Sequence, residues 1–315
     1  MPLPRFTSLL LLLLLWIGAA LPGEAGAQEP TVRLRLLAAN LTSGNSQDYV
    51  PGHGIRIMDG LNPDVVMIQE FSYGNNTPAS IRQMVDMAFG PDFFYFRETG
   101  ATLPNGIISR FPILAAGQWN DPETATRDFA WARIDIPGNI DLWAVSVHLL
   151  TDDIRRNPQA LDLVDYVRAM VPAGDYLSIG GDFNSDSRTE AALNTLSQVV
   201  RTAGPYPVDQ SNDPDTNANR TSPYDAVYVN AGLQGRATGV VLGGMTFANG
   251  LVFDTRKFSP LSAAAPALMA DSDAPNMQHM AVVRDFLLPV PEPGSAVLLL
   301  FVGVSWAGRR WRRAG

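Results

Sequence analysis

The segment Tyr176-Leu-Ser-Ile-Gly-Gly-Asp182-Phe-Asn184-Ser-Asp186 constrains this chain more than any other. An apolar run of this kind must satisfy its backbone groups inside a sheet, yet it ends in two glycines, a carboxylate and a carboxamide. Side chains alternate along a strand, so Asp182 and Asn184 share a face and project toward the sheet rim. Gly180 and Gly181 remove side chains beside them, which predicts an empty flank where another group approaches the backbone closely. The competing reading is a strand-to-helix turn in which Asn184 or Asp186 caps a helix beginning near Thr189.

Polar residues stand at the ends of other apolar runs. Val32, Leu34 and Leu36 alternate in a first strand that ends at Asn40. A helix over about 52–61 stops at Asn62-Pro63, before the apolar strand Asp64-Val-Val-Met-Ile-Gln-Glu70. That helix has the length of a crossover that sets both strands close in one sheet. A second helix over 78–89 leads to an aromatic strand at 92–96 and then to Asn105-Gly-Ile-Ile-Ser-Arg-Phe-Pro112. Arg127 precedes a further strand and is a candidate contact for a phosphate oxygen. The run Ile140 to Leu150 delivers His148, one of three histidines, and a helix over 157–171 connects it to Tyr176. The polar stretch from Asp209 to Arg220 lacks the glycine and terminal glutamate of an EF-hand loop and reads as a solvated loop. Asp225 opens a strand, and His279 stands immediately before another. Taken singly, each has a plain alternative: a strand-end glutamate is commonly a solvated rim residue, and a lone histidine on an apolar strand is commonly a packed one.

In combination, Gly181-Asp182-Phe183-Asn184 and these partners resemble the endonuclease/exonuclease/phosphatase superfamily of metal-dependent phosphoesterases. The resemblance spans nearly the whole mature chain, in family order. It implies a four-layer α/β/β/α sandwich, an α/β fold with two mixed β-sheets face to face. It implies metal ligation by Asn40 and Glu70, a catalytic set of His148, Asp182, Asn184, Asp225 and His279, and substrate contacts from Asn105 and Arg127. The last histidine of the family follows an aspartate directly, whereas here Gln278 precedes His279 and Ser272-Asp273 stands five residues earlier. The expected last metal ligand is therefore Asp273, with the Gln278 carbonyl as the alternative.

Both ends read as address labels. Residues 1–27 carry Arg5, a leucine run from Leu9 to Leu15 and a small-residue site at Ala25-Gly-Ala27, the pattern of a secretory signal. The tail, 290–315, runs from Val290-Pro-Glu-Pro293 through an apolar stretch to Arg309-Arg310-Trp311-Arg312-Arg313. Such a stretch can form a short transmembrane helix with its arginines on the cytoplasmic side. It resembles a PEP-CTERM sorting signal, which implies an exosortase-type processing enzyme as a partner. The implied locations are the periplasm, cell surface or extracellular matrix of a Gram-negative bacterium, with transient anchoring in the inner membrane. The working domain is then 28–289, expected as a monomer.

That domain keeps 18 of the 23 Lys and Arg and 29 of the 31 Asp and Glu, a net charge of −11. It offers nucleic acid no broad electrostatic attraction. The chain has no cysteine, so a metal must be held by oxygen and imidazole, which points to Mg²⁺, with Mn²⁺ or Ca²⁺ as alternatives. The expected activity is hydrolysis of a phosphoester by an extracellular nuclease-like enzyme acting on substrates such as extracellular nucleic acid. The alternatives are a sphingomyelinase-like phospholipase and a non-catalytic matrix-binding protein on the same scaffold.

Overall fold

Two parallel crossovers organise the fold, each a strand, a helix and a strand. In this computed structural model residues 30–290 are described; the leader 1–27 and, Val290 apart, the expected sorting segment 290–315 lie outside the described residues. β1 (Thr31–Ala39) pairs in parallel with β2 (Val65–Ile68) across helix α1 (His53–Leu61). α2 (Pro78–Phe89), β3 (Phe94–Arg97) and β4 (Gly106–Ser109) follow, and both strands join the same sheet. β5 (Ile113–Trp119) and β6 (Phe129–Ile134) open a second sheet. Its crossover runs from β7 (Leu142–His148) through α3 (Asp153–Met170) to β8 (Tyr176–Asp182), again in parallel. After α4 (Ala191–Leu196), β9 (Asp225–Val229) closes that sheet antiparallel to β8. The chain returns to the first sheet through α5 (Ala231–Gln234), β10 (Ala237–Thr238), the small hairpin β11 (Val240–Leu242) and β12 (Met245–Phe247), and β13 (Leu251–Phe253). β14 (Ala281–Pro289) ends the fold antiparallel to β1.

The result is a seven-stranded and a five-stranded sheet, both mixed, packed face to face. Leu34, Leu36 and Met67 of the first sheet share one core with Ala132, Ala144 and Val227 of the second. The outer faces are covered by helices: Leu37 and Val66 pack with Met58 and Met84, while Val145 and Ile179 pack with Leu163 and Leu193. This is the α/β/β/α sandwich. Burying side chains of this size contributes about 2 kcal/mol apiece, and β1, β2, β7 and β8 do so on both faces.

Three local expectations change. α3 begins before residue 157, because Asp152 accepts a hydrogen bond from the Ile154 amide and caps the helix there. The 209–220 stretch is not a free solvated loop: Arg220 lies 3.0 Å from Asp209 and 3.1 Å from Asp254, both buried, and this charge network ties the stretch to the segment after β13. The flank at Gly180 and Gly181 is filled by protein. A Cβ on Gly180 would stand 2.6 Å from the Met67 methyl, and one on Gly181 2.6 Å from Gln69 Nε2, both on the first sheet, so these glycines let the two sheets close on each other. Among the described residues no helix is long and apolar enough to cross a membrane.

Candidate active site

The topology sends six of the candidate side chains, Asn40, Glu70, His148, Asp182, Asp225 and His279, to one rim. Parallel pairs deliver residues from their C-terminal ends: Asn40 and Glu70 follow β1 and β2, while His148 and Asp182 end β7 and β8. Antiparallel closure turns β9 and β14 around, so Asp225 and His279 reach the same rim from the N-terminal ends of their strands.

On the first sheet, Asn40 Nδ2 donates to Glu70 Oε1 at 3.0 Å. The Thr42 hydroxyl lies 3.2 Å from Glu70 Oε2 and 3.0 Å from Asn40 Oδ1. On the second sheet, Asp182 is buried, and its Oδ1 accepts the Asn184 amide at 2.9 Å. Its Oδ2 is approached by two imidazoles, His148 Nε2 at 3.3 Å and His279 Nε2 at 3.4 Å. The other nitrogen of His279 is 2.8 Å from Asp225 Oδ2, and Asp225 Oδ1 accepts the Asn40 amide at 3.2 Å, which joins the halves. Asn184 does not cap a helix; its Nδ2 donates to the Leu149 carbonyl. Glu70 and Asn184 each stand two residues beyond the second strand of a crossover, and each has φ +47°. Left-handed backbone costs a non-glycine residue about 1 kcal/mol or more and clusters at functional sites.

Burial and neighbours separate the charge states. Burial opposes protonation of His279, but the carboxylates of Asp225 and Asp182 outweigh it and raise its pKa to about 9. Burial, Arg127 and His279 hold His148 well below the ordinary histidine value. Burial pushes Asp182 up to about 6 against the pull of His279. At neutral pH the rim therefore presents an imidazolium, a neutral imidazole and a mostly ionised carboxylate between them.

Three expected site residues are not brought into this cluster. Asp273 is exposed and faces Arg256 at 3.5 Å. Its turn is pinned by Asp271 against Arg56 and by Ser272 against Thr255, which leaves the Asp273 carboxylate outside. The Gln278 side chain is exposed as well. Arg127 is buried and spends its guanidinium on the carbonyls of His148 and Leu149, so it braces the rim rather than facing a ligand. Asn105 is fully buried, donating its amide to Glu98 and its Nδ2 to the Asp128 carbonyl. Sequence reasoning missed Thr42, Thr216, Gln69 and Ser146. Thr216 Oγ accepts the Asp225 amide at 2.7 Å, and Gln69 bridges the sheets through Ser146 at 2.8 Å. Thr42 alone carried a signal, standing two residues beyond Asn40.

Asp182, Asp225 and His279 bring ligand atoms within 4.8 Å of one another. A protonated imidazole is no ligand, however, and both nitrogens of His279 already face carboxylates. Glu70 offers carboxylate oxygen at the rim and fits a hard divalent cation; Asn40 turns its Nδ2 to Glu70 and its Oδ1 to the Thr42 hydroxyl, so it holds the carboxylate and has a carboxamide oxygen to add.

A two-sheet sandwich carrying carboxylates, carboxamides and histidines at one rim is the scaffold of a metal-dependent phosphoesterase. Residues 25–259 match the Endonuclease/Exonuclease/phosphatase family, and the chain belongs to it. Members of this family are divalent-metal-dependent hydrolases of phosphoester bonds. No curated protein matches the chain. Among solved structures, an endonuclease/exonuclease/phosphatase family protein from Leptotrichia buccalis has a TM-score of 0.53 at 14% identity, over 80% of this chain and 98% of that one. The 3′ phosphatase NExo from Neisseria, bound to a product DNA hairpin, has 0.52 at 15%, over 80% and 99%. Truncated Caenorhabditis elegans TDP2 has 0.51 at 14%, over 81% and 98%. At such identities these structures support the fold.

Proposed function

We propose that this protein is an exported phosphodiesterase of nuclease type that uses Mg²⁺ to hydrolyse phosphodiester bonds. The observation that carries the reading is the convergence of two imidazoles of opposite charge state on Asp182, with one of them clamped by Asp225. Asp182, with a pKa near 6, is matched to accept a proton from an attacking water at neutral pH, and the Asn184 amide fixes its orientation. His279 is the cation that stabilises charge on the phosphoryl oxygens and can pass a proton to the leaving oxygen. His148, neutral, contributes a hydrogen bond. Glu70 and Asn40 would hold the Mg²⁺ ion, which when bound supplies Lewis-acid polarisation of a phosphoryl oxygen. Export, processing by an exosortase-type enzyme and a monomeric state rest on the sequence of the ends and the domain, and they make extracellular nucleic acid the first substrate to test.

The test is hydrolysis of plasmid DNA, RNA, sphingomyelin, a 3′-phosphorylated DNA hairpin and bis-p-nitrophenyl phosphate by the purified protein, with Mg²⁺ or EDTA, beside His279→Gln. The expected result is EDTA-sensitive cleavage of nucleic acid that the variant loses. Preference for sphingomyelin would move the activity to a phospholipase, and no turnover of any substrate would favour a non-catalytic binding protein.

A further inference from the structure

The domain is acidic, yet one recess in it is lined by arginines. It lies at the seam of the sandwich, where β9 at the edge of the second sheet meets β14 of the first, and it encloses about 70 Å³. That exceeds the roughly 10–15 Å³ of such space that a single water needs. Arg188, Arg201 and Arg284 face it. Arg188 is neutralised by Asp215 at 2.8 Å and lies over the Tyr206 ring at 4.9 Å. Arg201 and Arg284 are different: among the described residues neither makes an ion pair. Arg201 donates to the Gly204 carbonyl, and Arg284 to the Val227 carbonyl and Gln234 Oε1. Burial and the nearby Arg201 charge lower Arg284 to about 10, so the two guanidiniums repel each other across the recess.

The one acidic lining residue, Asp225, has its carboxylate engaged by His279 and the Asn40 amide and does not compensate them. Prolines, Val252 and the rings of Tyr206 and Tyr228 supply apolar wall. Two unpaired guanidiniums match the two charges of a phosphate monoester rather than the single charge of a carboxylate, and guanidinium forks suit phosphate oxygens. The walls suit an aromatic body. We propose that this recess binds a phosphate monoester with an aromatic or similarly apolar body, at a site that backs onto the hydrolytic rim through Asp225. Thr216 lines the recess and holds the Asp225 amide, so an occupant touches the support of a catalytic side chain from behind.

The probe is phenyl phosphate, titrated by calorimetry into the His279→Gln protein in EDTA, so that neither turnover nor metal at the rim contributes heat. One saturable site is expected, weakened at least tenfold, about 1.4 kcal/mol, by Arg201→Gln and by Arg284→Gln. Benzoate is expected to bind more weakly, and phenol not at all. Arg201 is exposed, so its variant decides the matter if Arg284→Gln does not fold. Absence of binding, or binding that Arg201→Gln leaves unchanged, overturns the site, and equal affinity for benzoate overturns the choice of a dianion. None of these readings depends on hydrolysis, so failure here is distinct from failure of the proposed activity.

Discussion

The crossover β1–α1–β2 leads into Glu70 and the crossover β7–α3–β8 ends in Asp182, but the two carboxylates occupy different media. Glu70 keeps 13% of its side-chain surface and is flanked by the neutral donors Asn40 and Thr42, whereas Asp182 keeps 2% and is flanked by two imidazoles. In the first, neutral hydrogen bonds leave the charge free to meet a cation from outside. In the second, burial raises the proton affinity and a neighbouring imidazolium limits the rise. On the proposed function one topology yields a cation ligand and a base: β9 and β14 close the second site with Asp225 and His279, while the first meets the shared His148, whose Nδ1 lies 4.0 Å from Glu70 Oε1.

The sharpest way to break this contrast is Asp182→Asn. Removing a positioned base lowers kcat by about 10³-fold, and steady-state kinetics should show the loss with KM little changed. The wild-type rate should rise through about pH 6 as Asp182 loses its proton and fall through about pH 9 as His279 loses its own; the variant should lack the acid limb. A variant that keeps the acid limb assigns it to another group and removes the distinction drawn here.

The next largest effect concerns Arg127, which braces the second crossover through two carbonyls, where Arg97 braces the first through the Phe71 carbonyl. Arg127→Met takes the side-chain donor from the His148 carbonyl and leaves Leu149 with Asn184 Nδ2, and should cost about 2 kcal/mol of stability in urea unfolding. If stability is kept and only substrate KM rises, Arg127 faces the ligand after all. The smallest effect belongs to the first crossover. Thr42→Val removes a hydroxyl beside Glu70 and should weaken Mg²⁺ binding about tenfold in calorimetry, with the pH profile unchanged.

Much of this was legible in the chain because strand-end chemistry is local. Apolar runs that stop at Asp182, at His148 or beside Glu70 mark candidate residues, and the length of α1 matches the parallel crossover that is found. Asp273 was not legible. Its nearness to His279 in sequence suggested a ligand, but Arg56 and Thr255, more than a strand away, decide how its turn faces. Arg127 failed similarly, because a guanidinium near a rim can reach a phosphate or a carbonyl and only packing chooses. The glycines at 180 and 181 read as room for another group to approach the backbone, and the groups that do so are Met67 and Gln69 of the facing sheet.

The sequence by itself determined the strand ends that carry carboxylate, carboxamide and imidazole, because period acts over a few residues, and its resemblance to the family implied the layers of the sandwich. Only the tertiary structure decided which of these groups meet, what charge each holds and where two arginines are left without an ion pair among the described residues. Those outcomes depend on burial and on Coulomb interactions over a few ångströms between residues as far apart as Asn40 and Asp225, and no local pattern encodes such distances.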